Sequence, residues 1–110
     1  MLLVDSTFKA LAEPRRREIL THVWSRELPA AQIAARFPDV TRSAISQHLG
    51  VLRDAQLVVE RRDGVRRLYR ANHAQMTRLR HFLDEYWCDS LERLRLLAES
   101  AEREKGNVNG

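Results

Sequence analysis

Residues 41–71, TRSAISQHLGVLRDAQLVVERRDGVRRLYRA, decide the fold, because the spacing of apolar residues changes within them from helical to alternating. Thr41 can cap a helix, since its hydroxyl oxygen can accept a hydrogen bond from a free backbone N–H of the first turn. Positions three or four apart would then form one inward face, made of Ile45, Leu49 and Leu52. The sequence therefore predicts a helix over about 41–55.

The second half of this stretch predicts a β-hairpin over about 57–71. Residues 57–62 and 65–71 are short runs that contain Val and Tyr, as strands do. They flank Asp63-Gly64, a dipeptide that favours a type I′ turn between antiparallel strands. Both arms carry arginine, so the predicted hairpin is strongly basic.

Short helices are predicted before this stretch. Residues 5–7, Asp-Ser-Thr, offer oxygens that can cap a first helix. Pro14 suits the first turn of a second helix, where its missing N–H is not needed, and the apolar pattern of that helix ends near Arg26. A third helix is expected over residues 30–37, where Pro38 stops it.

After residue 72 the helical spacing returns, and it predicts one long amphipathic helix over about 73–104. Residues 105–110 have nothing to pack and are expected to form a disordered tail. The fold class is then mainly α with a small β-hairpin (α+β), in a single domain over residues 1–104. A domain of this size cannot cover the whole apolar stripe of the last helix, so a second copy of the chain is its natural partner. The candidate dimer contacts are Leu3, Phe8, Leu79, Leu83, Tyr86, Trp87, Leu91 and Leu94.

Composition limits the class of protein. The chain has 110 residues, 44% apolar and 31% charged, which suits one domain and excludes a multidomain enzyme. No apolar run approaches the about 18 residues that a membrane span needs, so a cytoplasmic protein is expected. A single cysteine, Cys88, excludes an internal disulfide. There is no nucleophile–base arrangement, glycine-rich phosphate loop or HExxH helix, so neither an enzyme nor a bound cofactor is predicted.

The net charge of +4 is concentrated in the hairpin region. Residues 56–72 hold five arginines against two acidic residues, a local excess of +3. Of the 19 cationic residues all but Lys9 and Lys105 are arginine, the side chain that makes bidentate contacts with phosphate and guanine. This pattern favours a nucleic-acid partner.

The predicted order of elements is the layout of a winged helix-turn-helix module. In such a module the helix over 30–37 braces the helix over 41–55, so that the polar outer face of the latter can enter a major groove about 12 Å wide. The hairpin, hereafter the wing, reaches past the edge of the groove. The candidate DNA contacts on these two elements are Arg42, Ser43, Ser46, Gln47, His48, Arg53, Arg61, Arg62, Arg66 and Arg67.

Each of these assignments has a plainer alternative. The residues of the helix could form an ordinary solvated face, and the arginines of the wing could serve only solubility. His48 could equally pack at the edge of the core. Arg15, Arg16 and Arg17 open the second helix, where positive charge is disfavoured, so they could bind phosphate or pair with Glu13 or Glu18.

Three segments resemble the bacterial ArsR-type repressors. They are FKALAEPRRREIL at 8–20, AISQHLGVLRDAQLV at 44–58 and RRDGVRRLYR at 61–70. The resemblance covers residues 5 to about 97. It implies a homodimeric repressor that binds a promoter, commonly that of its own or an adjacent operon, and that a signal releases from DNA.

The chain departs from the pattern of that family at two places. Gln56 stands where the family usually has glycine, and a left-handed backbone there would cost about 1 kcal/mol. Glu27-Leu28 is followed by Pro29-Ala30-Ala31, whereas metal-sensing members have Cys-Val-Cys. The resemblance therefore implies the branch without the cysteine site, whose members are autorepressors or respond to partner proteins.

Two other hypotheses about function stay open at this point. One is a winged-helix module that binds a protein and not DNA. The other is a metal-responsive repressor that uses the last helix, although a charged solvent face without metal is the preferred interpretation of the candidate ligands there. These candidates are His73, His81, Asp84, Glu85, Cys88 and Asp89. A protein or small-molecule inducer is a further expected partner.

Overall fold

The computed structural model describes the backbone of residues 2–109 and the side chains of residues 5–86 and 91–103. Over this part of the chain it is mainly helical with one small antiparallel sheet. The elements are α1 (Leu2–Leu11), α2 (Pro14–His22), β1 (Leu28–Pro29), α3 (Ala30–Ala35), α4 (Arg42–Asp54), β2 (Val58–Asp63), β3 (Arg66–Ala71) and α5 (His73–Asn109). The chain divides into two units, Met1–Thr77 and Arg78–Gly110.

The core of the first unit lies beneath α4 and the sheet. The predicted inward face of α4 is confirmed, because Ile45, Leu49 and Leu52 are at most 2% exposed. They belong to one apolar cluster with residues in or next to α2, α3 and the strands, among them Ile19, Val23, Ile33, Phe37, Leu57 and Tyr69. This cluster fixes α4 on its apolar side and leaves its other side exposed.

The sheet confirms the hairpin and adds a strand that the sequence did not predict. β2 and β3 pair antiparallel over their whole length, and β1 pairs with the other edge of β3, giving the order β1-β3-β2. β1 consists of Leu28 and Pro29 only, paired with Tyr69 and Leu68. Two residues are too few for an alternating pattern, so this strand has no signal in the sequence.

The prediction of a type I′ turn at Asp63-Gly64 is wrong. Asp63 and Arg66 are paired across the hairpin, so the turn residues are Gly64 and Val65. Gly64 has φ 65°, but Val65 is not among the described residues with positive φ. A type I′ turn needs positive φ at both central residues, whereas a type II′ turn needs it only at the first, where glycine is favoured.

The helix ends differ from the predicted ones for physical reasons. Residues 5–7 do not cap α1, because Leu2 and the residues after it already continue the helix. α2 stops at His22 and not near Arg26, since the carbonyl of Val23 accepts a hydrogen bond from the N–H of Ala71 in β3, 2.9 Å away. α3 ends two residues short of residue 37.

α5 runs further than the sequence predicted. It begins at His73 as expected and continues to Asn109, five residues past the predicted end at 104. The segment predicted to be a disordered tail is therefore helical through Asn109 in the structure. Whether residues 1–104 act as one domain stays a prediction.

Gln56 has the left-handed backbone that its place in the sequence suggested. Its φ is 62°, the only positive value at a non-glycine residue in the described chain. Its N–H donates to the carbonyl of Arg53, and the N–H of Leu57 donates to the carbonyl of Leu52, both at 2.9 Å. These two hydrogen bonds form a Schellman motif, which usually carries glycine at the position of Gln56.

We predict that Gln56→Gly raises the free energy of unfolding by about 1 kcal/mol, because glycine adopts this conformation without the steric cost of a Cβ. Urea denaturation measures the change. Gln32→Gly is the matched control: Gln32 is exposed within α3, where glycine should lower stability by a similar amount. A neutral or destabilising Gln56→Gly would contradict the prediction.

Candidate nucleic-acid interface

The outer face of α4 is polar and exposed. The helix begins with the predicted cap, in which the Thr41 hydroxyl accepts a hydrogen bond from the N–H of Ala44 at 3.1 Å. α3 packs against α4 from the apolar side. The four predicted contact residues of the first turns are all exposed: Arg42, Ser43, Ser46 and Gln47. Their side chains are thus available to a partner along one side of the helix.

His48 lies at the boundary between this face and the core. Its side chain is half-buried, and the Arg16 guanidinium lies 3.4 Å from its Nδ1. This position fits both roles considered for it, packing at the edge of the core and contact with phosphate.

The arginines at the start of α2 have partners within the chain. Arg16 donates to the carbonyls of Lys9 and Ala10, at 3.0 and 2.7 Å, and Arg17 donates to the carbonyl of Leu11 at 2.6 Å. The last carbonyls of a helix lack backbone donors, so these side chains cap the end of α1.

Arg15 pairs with acidic residues. This was one of the two alternatives for the arginines at 15–17, the other being phosphate binding. Its guanidinium is 3.5 Å from the Glu18 carboxylate and 2.9 Å from that of Asp39. Together with the capping role of its two neighbours, these contacts account for positive charge at the start of α2 without a phosphate.

The wing presents its arginines to solvent, but three of them, Arg61, Arg66 and Arg67, lie within ion-pair distance of acidic residues. Arg61 forms a bidentate pair with Glu27, at 3.1 and 2.6 Å. This hydrogen bonding raises the pKa of Arg61 and lowers the pKa of Glu27 below its usual range. Arg66 lies 3.2 Å from Asp63 across the turn. Arg62 has no ion pair with any side chain that the structure describes.

A third acidic residue links α4 to the wing. The carboxylate of Glu60 in β2 lies 3.0 Å from Arg53 and 3.6 Å from Arg67 of β3. Arg53 also contacts Asp54 at 3.3 Å, and its pKa is raised, above all by the hydrogen bond with Glu60. Sequence reasoning assigned both arginines to DNA and did not consider Glu60. The available signal was an acidic residue directly before two arginines of the wing.

The predicted contact residues of α4 and of the wing meet at one groove. It has a volume of about 380 Å³, and small alanine side chains of α3 form part of its wall. The predicted residues that line it are Arg42, Ser46, Arg66 and Arg67. Arg42 has no ion pair among the described residues, so its guanidinium can take an external acceptor. The fold therefore brings the two predicted contact elements together.

The predicted dimer contacts fall into three groups. Phe8, Leu83, Tyr86, Leu91 and Leu94 are exposed, by between 37% and 61%. Leu79 is only 8% exposed, so little of its surface is left for a second copy of the chain. Leu3 and Trp87 lie outside the described side chains.

The described side chains contain no group of three or more His, Cys, Asp or Glu that could hold a metal ion. Cys88 and Asp89, two of the residues considered for such a site, lie outside them. None of the helices that the structure describes is long and apolar enough to cross a membrane.

A short helix that packs against a polar-faced helix, followed by a basic hairpin, defines a winged helix-turn-helix protein. A family model described as a helix-turn-helix domain matches residues 11–61. The HTH-type transcriptional regulator Rv2034 of Mycobacterium tuberculosis is 38% identical over 87 residues, 79% of this chain and 80% of that protein. The transcriptional repressor SdpR of Bacillus subtilis is 33% identical over 61 residues, 56% of this chain and 67% of that protein.

Comparison with solved structures also finds similarity to a transcriptional regulator. An ArsR-like transcriptional regulator from Rhodococcus sp. RHA1 matches with a TM-score of 0.77 and 31% identity, covering 87% of this chain and 90% of that one. The chain belongs to the ArsR family of winged helix-turn-helix regulators. It is a DNA-binding transcriptional regulator and not an enzyme, as the sequence predicted.

Proposed function

We propose that the protein is a homodimeric repressor of its own or an adjacent operon. Each copy would place α4 in a major groove of a pseudo-palindromic operator, with the two grooves about 34 Å apart. The two wings would contact the flanking backbone. Residues 1–104 of each copy would act as one domain, and a partner protein or small molecule would release the dimer from DNA.

The exposed polar face of α4 beside the arginines of the wing is the observation that carries this proposal. Gln47 suits adenine and Arg42 suits guanine, and each good bidentate contact contributes about 1–3 kcal/mol of discrimination between bases. Both side chains are exposed, and Arg42 lines the groove that α4 shares with the wing. A face of this kind can distinguish base sequences, whereas a purely basic surface would bind any duplex.

Exposed apolar side chains along α5 support the homodimer. Leu83 is 37% exposed, Leu91 51%, Leu94 61% and Leu97 67%. Large apolar side chains in such number on one helix are typical of a surface that another protein covers. A second copy of α5 presents the same residues, and a symmetric dimer buries both sets at once.

Repression follows from where such a dimer would bind. A dimer on two successive major grooves of a promoter occupies DNA that RNA polymerase needs. One relative described above is named a repressor, which agrees with this direction of control.

A binding titration tests the proposed function. The two probes are a duplex taken from directly upstream of the coding sequence, the upstream duplex, and a shuffled duplex of the same composition. We expect the upstream duplex to bind at least about 10³-fold more tightly. Its affinity should fall steeply between about 50 and 200 mM salt, because binding releases counterions from phosphates. Equal affinity for both duplexes, or binding that is insensitive to salt, would contradict the proposal.

A further inference from the structure

Glu60 occupies an unusual position for an acidic residue. It lies in β2 directly before two arginines, and only 18% of its side chain is exposed. One of its oxygens, Oε2, faces Arg53 at 3.0 Å, and the other, Oε1, faces Arg67 at 3.6 Å. The two arginines come from α4 and β3, so a single carboxylate joins the helix to the wing.

Further residues surround the same carboxylate. Arg53 is also paired with Asp54, at 3.3 Å. Tyr69 is paired with Glu60 across the hairpin and is 4% exposed. Burial raises the pKa of Tyr69, and the charge of Glu60 raises it further. The Glu60 carboxylate is more shielded from solvent than Arg53 and Arg67, whose side chains are 43% and 51% exposed, so salt screens these pairs less than fully exposed ones.

Phosphate and the Glu60 carboxylate compete for the same donors. A phosphate that binds Arg53 or Arg67 must displace the Glu60 carboxylate or bind close to its negative charge. This cost weighs most on sequence-independent binding, which depends on phosphate contacts almost alone. Binding to a matching site gains base contacts from α4 and profits from a wing that is already held in position.

We propose that Glu60 is a specificity-determining residue of the DNA interface. It keeps Arg53 and Arg67 from binding phosphate indiscriminately and fixes the wing relative to α4. Its carboxylate is therefore a repulsive element that lowers affinity for wrong sites more than for the right one. This inference rests on the proposed function.

Glu60→Gln tests the inference, because it removes the charge and keeps the shape. Glu99→Gln is the matched control: it makes the same change in net charge and likewise takes an acidic partner from an arginine, Arg95, in α5. Fluorescence anisotropy would measure both variants and the wild type on the upstream and shuffled duplexes over a range of salt concentrations.

We expect Glu60→Gln to bind the shuffled duplex about tenfold more tightly than the wild type does. Its salt dependence should be steeper by about one to two phosphate contacts per chain. Affinity for the upstream duplex should change less, so the ratio of the two affinities falls. Glu99→Gln should resemble the wild type. Adding Arg53→Gln to Glu60→Gln should remove much of the gained affinity, which would identify the released arginine.

An unchanged affinity ratio would overturn the inference. So would a fall in affinity for the upstream duplex with no gain on the shuffled one, which is the result of a merely structural role. If Glu60→Gln did not fold, Glu60→Thr would replace it, because it also removes the carboxylate and suits a strand, and the same shift of the ratio is required. A wild type that did not distinguish the two duplexes would instead contradict the proposed function itself.

Discussion

Replacing Leu91 and Leu94 with aspartate is expected to convert the protein into a monomer and to weaken binding to the upstream duplex by about 10²–10⁴-fold. Both leucines are more than half exposed on α5. Four aspartates per dimer would place like charges in the proposed dimer interface. A dimer gains affinity because binding of its first half makes binding of its second half intramolecular. A monomer loses that gain although its α4 and wing are untouched.

Sedimentation equilibrium and the titration described above measure the two effects. The matched control is Leu96→Asp with Ser100→Asp, which adds the same charge to the same helix. Helical spacing places these two positions on the side of α5 away from Leu91 and Leu94. The dimer interface would lie elsewhere if the double variant at 91 and 94 stayed dimeric. The same would follow if the control dissociated equally.

Local patterns in the sequence were sufficient for much of the fold. Thr41 and the apolar residues three or four apart after it predicted α4, and Asp63-Gly64 predicted the hairpin. The turn was misplaced by one residue, because the dipeptide favours a turn without fixing which residues pair across it. A left-handed backbone at Gln56 was considered only as a condition, on the ground that the family usually has glycine there, and the structure meets that condition.

Contacts between distant residues were not accessible in this way. β1 is defined only by its pairing with β3, about 40 residues further along the chain. Glu27 and Arg61 are 34 residues apart, and nothing local marks them as partners.

The sequence predicted which residues form the candidate site, but not which of its arginines are paired with acidic residues. Sequence reasoning placed arginines on α4 and the wing, and the structure brings several of them to one groove. It also gives Arg53, Arg61, Arg66 and Arg67 acidic partners, which lowers the number of guanidinium groups that are free to bind phosphate. The counts of charged residues could not show this, because an ion pair depends on where two side chains lie in the fold.

The double variant Gln47→Ala with Arg66→Ala tests the central claim, that α4 and the wing together bind DNA. Gln47 is exposed on the polar face of α4, and Arg66 lies beside the turn of the wing. Each copy loses a base contact that contributes about 1–3 kcal/mol, and a phosphate contact as well. We therefore expect the affinity for the upstream duplex to fall by at least about 100-fold. Arg103→Ala removes the same charge from α5 and serves as the control.

The most direct measurement is therefore the affinity of this double variant for the upstream and shuffled duplexes, beside that of the wild type. The account predicts a large loss on the upstream duplex, a smaller loss on the shuffled one, and little change in either for Arg103→Ala. A double variant that kept the affinity and sequence preference of the wild type would contradict the claim.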